Sequence, residues 1–422
     1  MTPTTSGKDI LTGAFQAAVE AAKPENTLAL YVPSKPRGRT VVVGAGKAGA
    51  RMAAALEACW DGPLEGVVVV PYGSGQKSGR IEIVEASHPI PDMAGLAASH
   101  RLLGAVAGLV SDDLVIALVS GGGSALLPLP AEGISLEEEA EVNRVLLASG
   151  MPIESMNIIR KHISMIKGGR LAAAAAPAKI VSLVISDVPG DVPAYIASGP
   201  TIPDRTTRND ALHLVGVYGL QLPHSVMSYL QSPMADAPMP DDARFERNEV
   251  HVIGSAGVSL EAAAAYCRNL GLQTAILSDS IEGEARDVGG VHAAIAREVS
   301  GRDRPFSKPV MLLSGGETTV TIKSRGKGGR NTEFLAAFAL GIDGRSGIEA
   351  LAADTDGIDG TEASAGAFAD GSSCSRMRQA GINLGEALQA NNTWAAFNGV
   401  GDLFTTGPTG TNVNDFRAIL IR

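Results

Sequence analysis

The sequence predicts an α/β protein of two domains, and three observations carry that prediction. Its 422 residues exceed what one ordinary core serves, and 45% hydrophobic residues suffice to bury an interior in each half. The 50 glycines fall in strand-to-helix turns, without period or low complexity. Apolar runs followed by helical patterns recur on both sides of residues 231–248, whose prolines and charges make the best boundary. A net charge of −10 argues against nucleic acid or an acidic membrane as partner, so any site for an anion has to be local. Cys59, Cys267 and Cys374 are widely spaced and form no C-x-x-C, which fits a reduced, cytoplasmic protein. The start of the chain has no basic segment followed by an apolar run, so no signal peptide is expected. No stretch reaches the ~18 apolar residues of a membrane span.

Residues 8–22 carry apolar positions at helical spacing and stop at Pro24. A strand at Val41–Val43 then leads through a glycine turn into a helix from about Ala48. Gly44-x-Gly46-x-x-Gly49 matches the dinucleotide fingerprint, but the next strand, Val67–Val70, ends in Pro71-Tyr72-Gly73 with no acid for a ribose hydroxyl. Lys47 stands at the mouth of the helix, where a positive charge works against the dipole unless an anion is near. After the next strand, Pro89 and Pro91 fix an extended loop and Asp92 reads as a helix N-cap, with His88 structural. Leu114–Val119 delivers Ser120-Gly121-Gly122-Gly123-Ser124, a loop whose backbone N–H groups can converge on phosphate oxygens with two hydroxyls beside them. It is not a P-loop, because G-x-x-x-x-G-K-[ST] is absent.

Ser135-x-x-Glu138 predicts a capping box for a helix ending near Gly150. "SMNIIRKHISMIKGGRLAAAAA" reads as a further helix ended by Gly168-Gly169, with Arg160, Lys161, Lys167 and Arg170 mostly on its solvated face. The strand "IVSLVIS" brings Asp187 and Asp191 around a Pro-Gly turn at its C-terminal end, where open α/β sheets gather ligand chemistry; turn caps are the competing reading. Beyond the boundary the pattern restarts with a strand at Val250–Ile253, a helix from Val258, a strand at Thr274–Leu277 and a helix to Val299. Val310–Leu313 then feed a tight Ser314-Gly315-Gly316-Glu317 turn. Arg325, Lys327 and Arg330 lie among glycines before a helix opened by Asn331, Thr332 and Glu333, an arrangement suited to an anion. Asp354, Asp356 and Asp359 follow a strand. They are not an EF-hand, since Ile358 takes the third ligand slot, and either Asp-Gly turns or carboxylates for hydrated Mg²⁺ account for them.

No G-x-S-x-G elbow, H-E-x-x-H or histidine cluster is present. Glycine turns, scattered cations and aspartates at strand ends suit phosphoryl transfer, where catalysis is mostly positioning and charge neutralisation. "GAGKAG", "SHPIPD", "LVSGGGSALL", "RKHISMIKGGRLA", "SDVPGD", "ASGPT", "LSGGETTVTI", "GKGGRNTEF", "DTDGIDG" and "TGPTGTNVND" together resemble the type II glycerate kinases along essentially the whole chain. The resemblance implies a Rossmann-like α/β/α sandwich over residues 1–235 and a C-terminal α/β domain over 248–422, containing a MOFRL region at about 309–416. It further implies ATP- and Mg²⁺-dependent phosphorylation of D-glycerate, generally at the 2-hydroxyl, in the cleft between domains; a homodimer is compatible with it. The family's lysine matches Lys47 and its arginine Arg330, with Arg325 the weaker match. On this reading Lys47 and Arg330 neutralise the phosphoryl group or the glycerate carboxylate. Ser120, Gly121, Gly122, Gly123 and Ser124 cradle an anion, and Arg325, Asn331 and Glu317 add to the binding surface. One of Asp187, Asp191 or Asp356 takes the hydroxyl proton, and Mg²⁺ falls to other acids, foremost Asp356 and Asp359. Because relatives have been labelled hydroxypyruvate reductase, NAD(P)H-dependent reduction is the alternative.

Overall fold

A computed structural model describes residues 6–75 and 79–422, so the beginning of the segment judged to lack a signal peptide lies outside the described residues. The chain forms two compact units: Thr27–Ile253, and Gly254–Arg422 together with the residues before Thr27. Strands β1 (Thr40–Ala45), β2 (Glu65–Pro71), β3 (Ile81–Ala86), β4 (Leu114–Ser120), β5 (Lys179–Ile185) and β6 (Glu249–Gly254) make one sheet in the order β3-β2-β1-β4-β5-β6. Helices α1 (Gly7–Ala21), α2 (Pro24–Thr27), α3 (Gly49–Cys59), α4 (Met93–Val106), α5 (Gly123–Leu126), α6 (Leu136–Ala148), α7 (Ile153–His162), α8 (Arg170–Ala175), α9 (Arg208–Val217) and α10 (His224–Gln231) accompany these strands along the chain.

β1 to β5 are parallel to their neighbours. Val41, Val43, Val67 and Val69 are buried on one side, and Val42, Val68, Ile116 and Leu118 are equally buried. That is why these strands read as unbroken apolar runs rather than alternating ones. Strand order reverses between β1 and β4, and the crevice at such a switch point is where open parallel sheets bind ligands. Asp92 caps α4 by accepting from Gly95 N–H at 2.9 Å, and Ser135 and Glu138 form the expected capping box of α6.

The segment after α6 departs from the expectation of one helix with a solvated cationic face. α7 stops at His162, and Gly168 and Gly169 take left-handed φ of 61° and 79°. Their N–H groups donate to Ser198 O (2.9 Å) and Gly199 O (2.7 Å), so this turn is tied to the loop at 198–199. Lys161 and Lys167 are 2% and 1% exposed. Each is paired with an acid distant in sequence, Lys161 with Asp204 and Lys167 with Glu139 at 3.0 Å. A buried ammonium is tolerated only with such partners, which spacing along one helix does not reveal.

In the second unit, β7 (Gln273–Ser278), β9 (Val310–Gly316), β11 (Ile348–Asp354), β12 (Gly366–Asp370), β13 (Leu403–Phe404) and β14 (Asp415–Ile421) form a mixed sheet ordered β13-β12-β11-β14-β9-β7; the two-residue strands β8 (Gly283–Glu284) and β10 (Thr318–Thr319) pair apart from it. Helices α11 (Ala256–Asn269), α12 (Ala285–Arg302) and α13 (Arg330–Gly341) belong to this unit. Alternation along β9 sends Val310 and Leu312 to a core shared with α12 and α13, and Met311 and Leu313 to a core shared with α1 and α11. Leu11 and Phe15 of α1 are almost completely buried there, each worth about 1.5–3 kcal/mol. This packing places α1 with the C-terminal half, where the sequence division put it in 1–235. Residues 231–248 likewise lead into β6 at the edge of the first sheet rather than out of that unit. The expected turn at Ser314–Glu317 is absent, because β9 continues through Gly316, which pairs with Asp415 of β14. Among the described residues no helix is long and apolar enough to cross a membrane.

Candidate active site

Two polar clusters form at strand ends, one in each unit. In the first unit the loops leaving β1, β3, β4 and β5 meet at their C-terminal ends. Lys47 N–H donates to Gly121 O at 2.8 Å and Ala48 N–H donates to Ser120 Oγ at 3.1 Å, which ties the β1 and β4 loops together. Ser120 is thus a buried fastening between loops, not a free hydroxyl for phosphate as expected. A Cβ on Gly121 would collide with the Asp187 carboxylate, so only glycine lets that acid approach the β4 loop. Gly122 has a left-handed φ of 82°, and a Cβ there would sit 3.2 Å from the His88 ring and 3.3 Å from Lys47 Cγ. Lys47 is exposed and forms no ion pair among the described residues. Burial, helped by the Lys47 charge, holds His88 below its usual range and so neutral at pH 7.

The fingerprint glycines have packing duties. Gly44 lies against the Leu118 backbone, Gly46 against Ser120, and Gly49 against Val68 of β2. Close strand-to-strand and helix-to-strand approach therefore explains the pattern without a dinucleotide. Asp191 is half-buried in a turn closed by its own N–H to Val188 O at 3.1 Å, with a left-handed φ of 52°, and no described contact joins it to the Lys47 group.

In the second unit the cluster lies where β9 and β11 end and β14 begins. Arg330 reaches Glu317 Oε1 (2.8 Å), Asp354 Oδ2 (2.6 Å) and Asp415 Oδ1 (2.7 Å), so its guanidinium is fully engaged. The expected spare cation is instead the hub of three carboxylates. Its pKa is raised, since burial is outweighed by the three acids, while burial pushes Asp354 up to about 8 against the pull of Arg330, with Asp356 and Asp415 adding to the rise. Asp415 also receives Thr318 N–H and buried Arg417 at 2.6 Å.

The anion expected at the start of α13 is supplied by the chain itself. Asp359 is buried and accepts from Asn331 N–H, Thr332 N–H and the Thr332 hydroxyl, each at 2.9 Å. Both its oxygens cap the helix, which removes it as a metal ligand. Asn331 is fully buried and donates to Asp415 at 2.9 Å, so it does not face a ligand either. Asp356 is half-buried; one oxygen accepts from Ile358 N–H at 2.8 Å, as an Asp-Gly turn requires. Arg325 and Glu317 are exposed. Among the described residues no group of three or more His, Cys, Asp or Glu could hold a metal ion. Sequence reading missed Asp354 and Asp415 as a pair because only antiparallel register puts them side by side. It also left Asn157 and Ser198 unassigned, whose only sign was their place in quoted segments, and put Arg160 on a solvated face although its side chain meets Asn143 and Asn157.

A doubly wound parallel sheet with charged loops at its switch point, joined in one chain to a mixed-sheet unit, defines an α/β protein of the small-ligand-binding class. Residues 10–231 match the family described as Domain of unknown function (DUF4147) and residues 310–415 the MOFRL family. The chain is 49% identical over 99% of its length, and 95% of the relative's, to an Agrobacterium vitis protein with the provisional name hydroxypyruvate reductase. It is 39% identical to the D-glycerate 2-kinase of Thermotoga maritima, covering 94% of each chain. A crystal structure of glycerate kinase from that organism superimposes with a TM-score of 0.90 at 38% identity, over 98% of this chain and 99% of the other. The chain belongs to the glycerate 2-kinase family.

Proposed function

We infer that this protein is a glycerate kinase: it transfers a phosphoryl group to D-glycerate. Kinase relatives that match nearly the full length carry the reading. We propose ATP as the donor and the 2-hydroxyl as the acceptor, giving 2-phosphoglycerate. The observation in the fold that supports this most is an exposed lysine with no carboxylate partner among the described residues, set beside a glycine loop and an aspartate at the β1/β4 switch point. Lys47 neutralises the transferring phosphoryl group or the glycerate carboxylate. Asp187, held against Gly121, accepts the proton of the attacking hydroxyl. Neutral His88 adds a polar group without competing charge.

Mg²⁺ fits the residues in only one form. Asp359 is consumed by helix capping and Asp415 by Arg330, Asn331, Thr318 and Arg417, so no closed cage exists among the described residues. An ion that arrives on nucleotide phosphates needs one or two carboxylates, which Asp187 or Asp356 would offer. Bound there, it would offset phosphate charge.

The test is purified protein with ATP, Mg²⁺ and D-glycerate, with the product identified by NMR, beside NADH and hydroxypyruvate. Turnover in the first mixture is expected. Oxidation of NADH without phosphoglycerate would reverse the reading.

A further inference from the structure

Ser124 ends a line of hydrogen bonds whose direction can be read from one end to the other. Asn157 on α7 donates through Nδ2 to Tyr195 O at 2.9 Å. Its Oδ1 receives Arg160 Nη1 at 3.2 Å, and the opposite amide orientation would set nitrogen against nitrogen and oxygen against oxygen. Oδ1 is therefore an acceptor. Ser198 Oγ lies 3.0 Å from it, so Ser198 must donate there. A hydroxyl has one proton, and Ser198 has spent it. The 2.8 Å contact between Ser198 and Ser124 can then be made only by the Ser124 proton pointing inward.

The arrangement is built in at some cost. Ala197 and Ser198 both have left-handed φ, 54° and 59°, a conformation that non-glycine residues adopt only when their surroundings hold them. What holds them is the pair of backbone bonds from Gly168 and Gly169. Arg160 lies at the inner end, with Asn143 Oδ1 on its Nε at 2.8 Å and no ion pair to an acid among the described residues; burial lowers its pKa to about 10. Asn157 and Ser198 are buried and Ser124 is half-buried, so only the last member can meet a ligand.

We propose that Ser124 is a specificity-determining residue that presents lone pairs and accepts a hydrogen bond from a hydroxyl of the hydroxy acid, instead of donating to its carboxylate or to phosphate. Ser198, Asn157 and Arg160 are positioning residues that fix this polarity. The proposal rests on the glycerate kinase reading and refines it: the β4 loop tests for a hydroxyl, and an acid without one leaves the Ser124 lone pairs unmatched.

The experiment compares the wild type with Ser198→Ala, Ser124→Ala and the double variant. It measures kcat, the KM for D-glycerate and for ATP, and binding of D-lactate and 3-hydroxypropanoate, which each lack one hydroxyl of glycerate, and of propanoate, which lacks both. Wild type is expected to prefer glycerate to at least one single-hydroxyl analogue by about 10-fold or more. Ser198→Ala frees the Ser124 proton to turn outward and lowers that preference by about tenfold, with the KM for ATP within about twofold. The double variant loses no more than Ser124→Ala alone, because Ser198 acts only through Ser124. A Ser198→Ala protein with wild-type melting behaviour and unchanged preference overturns the proposal. So does a Ser124→Ala protein that binds propanoate as much more weakly as glycerate, which would make Ser124 an anion donor. Wild-type turnover of glycerate is scored separately, so failure of the parent reading is distinguishable from failure of the hydrogen-bond line.

Discussion

Ser120-Gly121-Gly122 and Ser314-Gly315-Gly316 look alike in sequence and are put to opposite uses. In the parallel sheet the glycines follow the last residue of β4 and form an open loop beside Lys47, with Asp187 pressed against Gly121. In the mixed sheet the glycines stay inside β9, paired with Phe416 and Asp415 of β14. Ser120 joins two loops, whereas Ser314 is buried against His292 Nε2 at 3.0 Å. The neighbouring strand makes the difference: an antiparallel partner that begins where β9 ends keeps its glycines in the ladder, while parallel neighbours that end together release theirs. The cations follow suit, for Lys47 stands without an ion pair among the described residues and Arg330 is shared by three acids. In the second cluster the cation's charge is already matched by acids of the chain, and among the described residues that of Lys47 is not.

The sharpest way to break this contrast is Arg330→Met. It leaves Glu317, Asp354 and Asp415 facing one another, and unfolding in urea should show a loss of about 3–5 kcal/mol. An unchanged midpoint would mean Arg330 is not a structural hub. Lys47→Ala should do the reverse, lowering kcat/KM for glycerate phosphorylation about 10²–10³-fold while the midpoint stays put. Near-wild-type turnover removes the β1/β4 loops from the chemistry. Asp359→Ala takes the cap from α13 and should cost about 1–2 kcal/mol, with no change in the Mg²⁺ concentration that gives half-maximal activity; a shift in that concentration would restore Asp359 as a ligand.

The smallest effect is a pH slope. Asp354 has a folded pKa of about 8, above its ordinary 3.8, so the folded state binds the extra proton and this group's contribution to stability is full below about pH 4. That contribution fades as pH rises through about 8. Asp354→Asn should flatten the decline in urea midpoint between pH 5 and pH 8.5, and an identical slope in the variant would show that Asp354 titrates elsewhere.

Much of the fold was legible because it is local. Asp92 and the Ser135–Glu138 box announce helix starts, and the unbroken valine runs announce strands covered on both sides. Lys47 stood out in the sequence by its placement alone, since a cation at a helix mouth contradicts the dipole and invites an explanation. Asp359 was misread because an aspartate before glycine looks the same whether it binds metal or caps a helix 28 residues earlier in the chain. The cations around α7 were misread for a related reason: helical spacing tells which residues share a face but not that Asp204 and Glu139 will cover it.

By itself, then, the sequence determined the α/β class, the strand-end loops and the presence of acids and bases in them, because hydrophobic period and turn chemistry act over a few neighbouring residues. Only the tertiary structure decided which charges are spent and which remain available, since Arg330 meets Asp415 and Lys161 meets Asp204 across folds of the chain that no local rule foresees. Electrostatic pairing depends on distance in space, and the backbone converts sequence separation into that distance only when the sheets are complete.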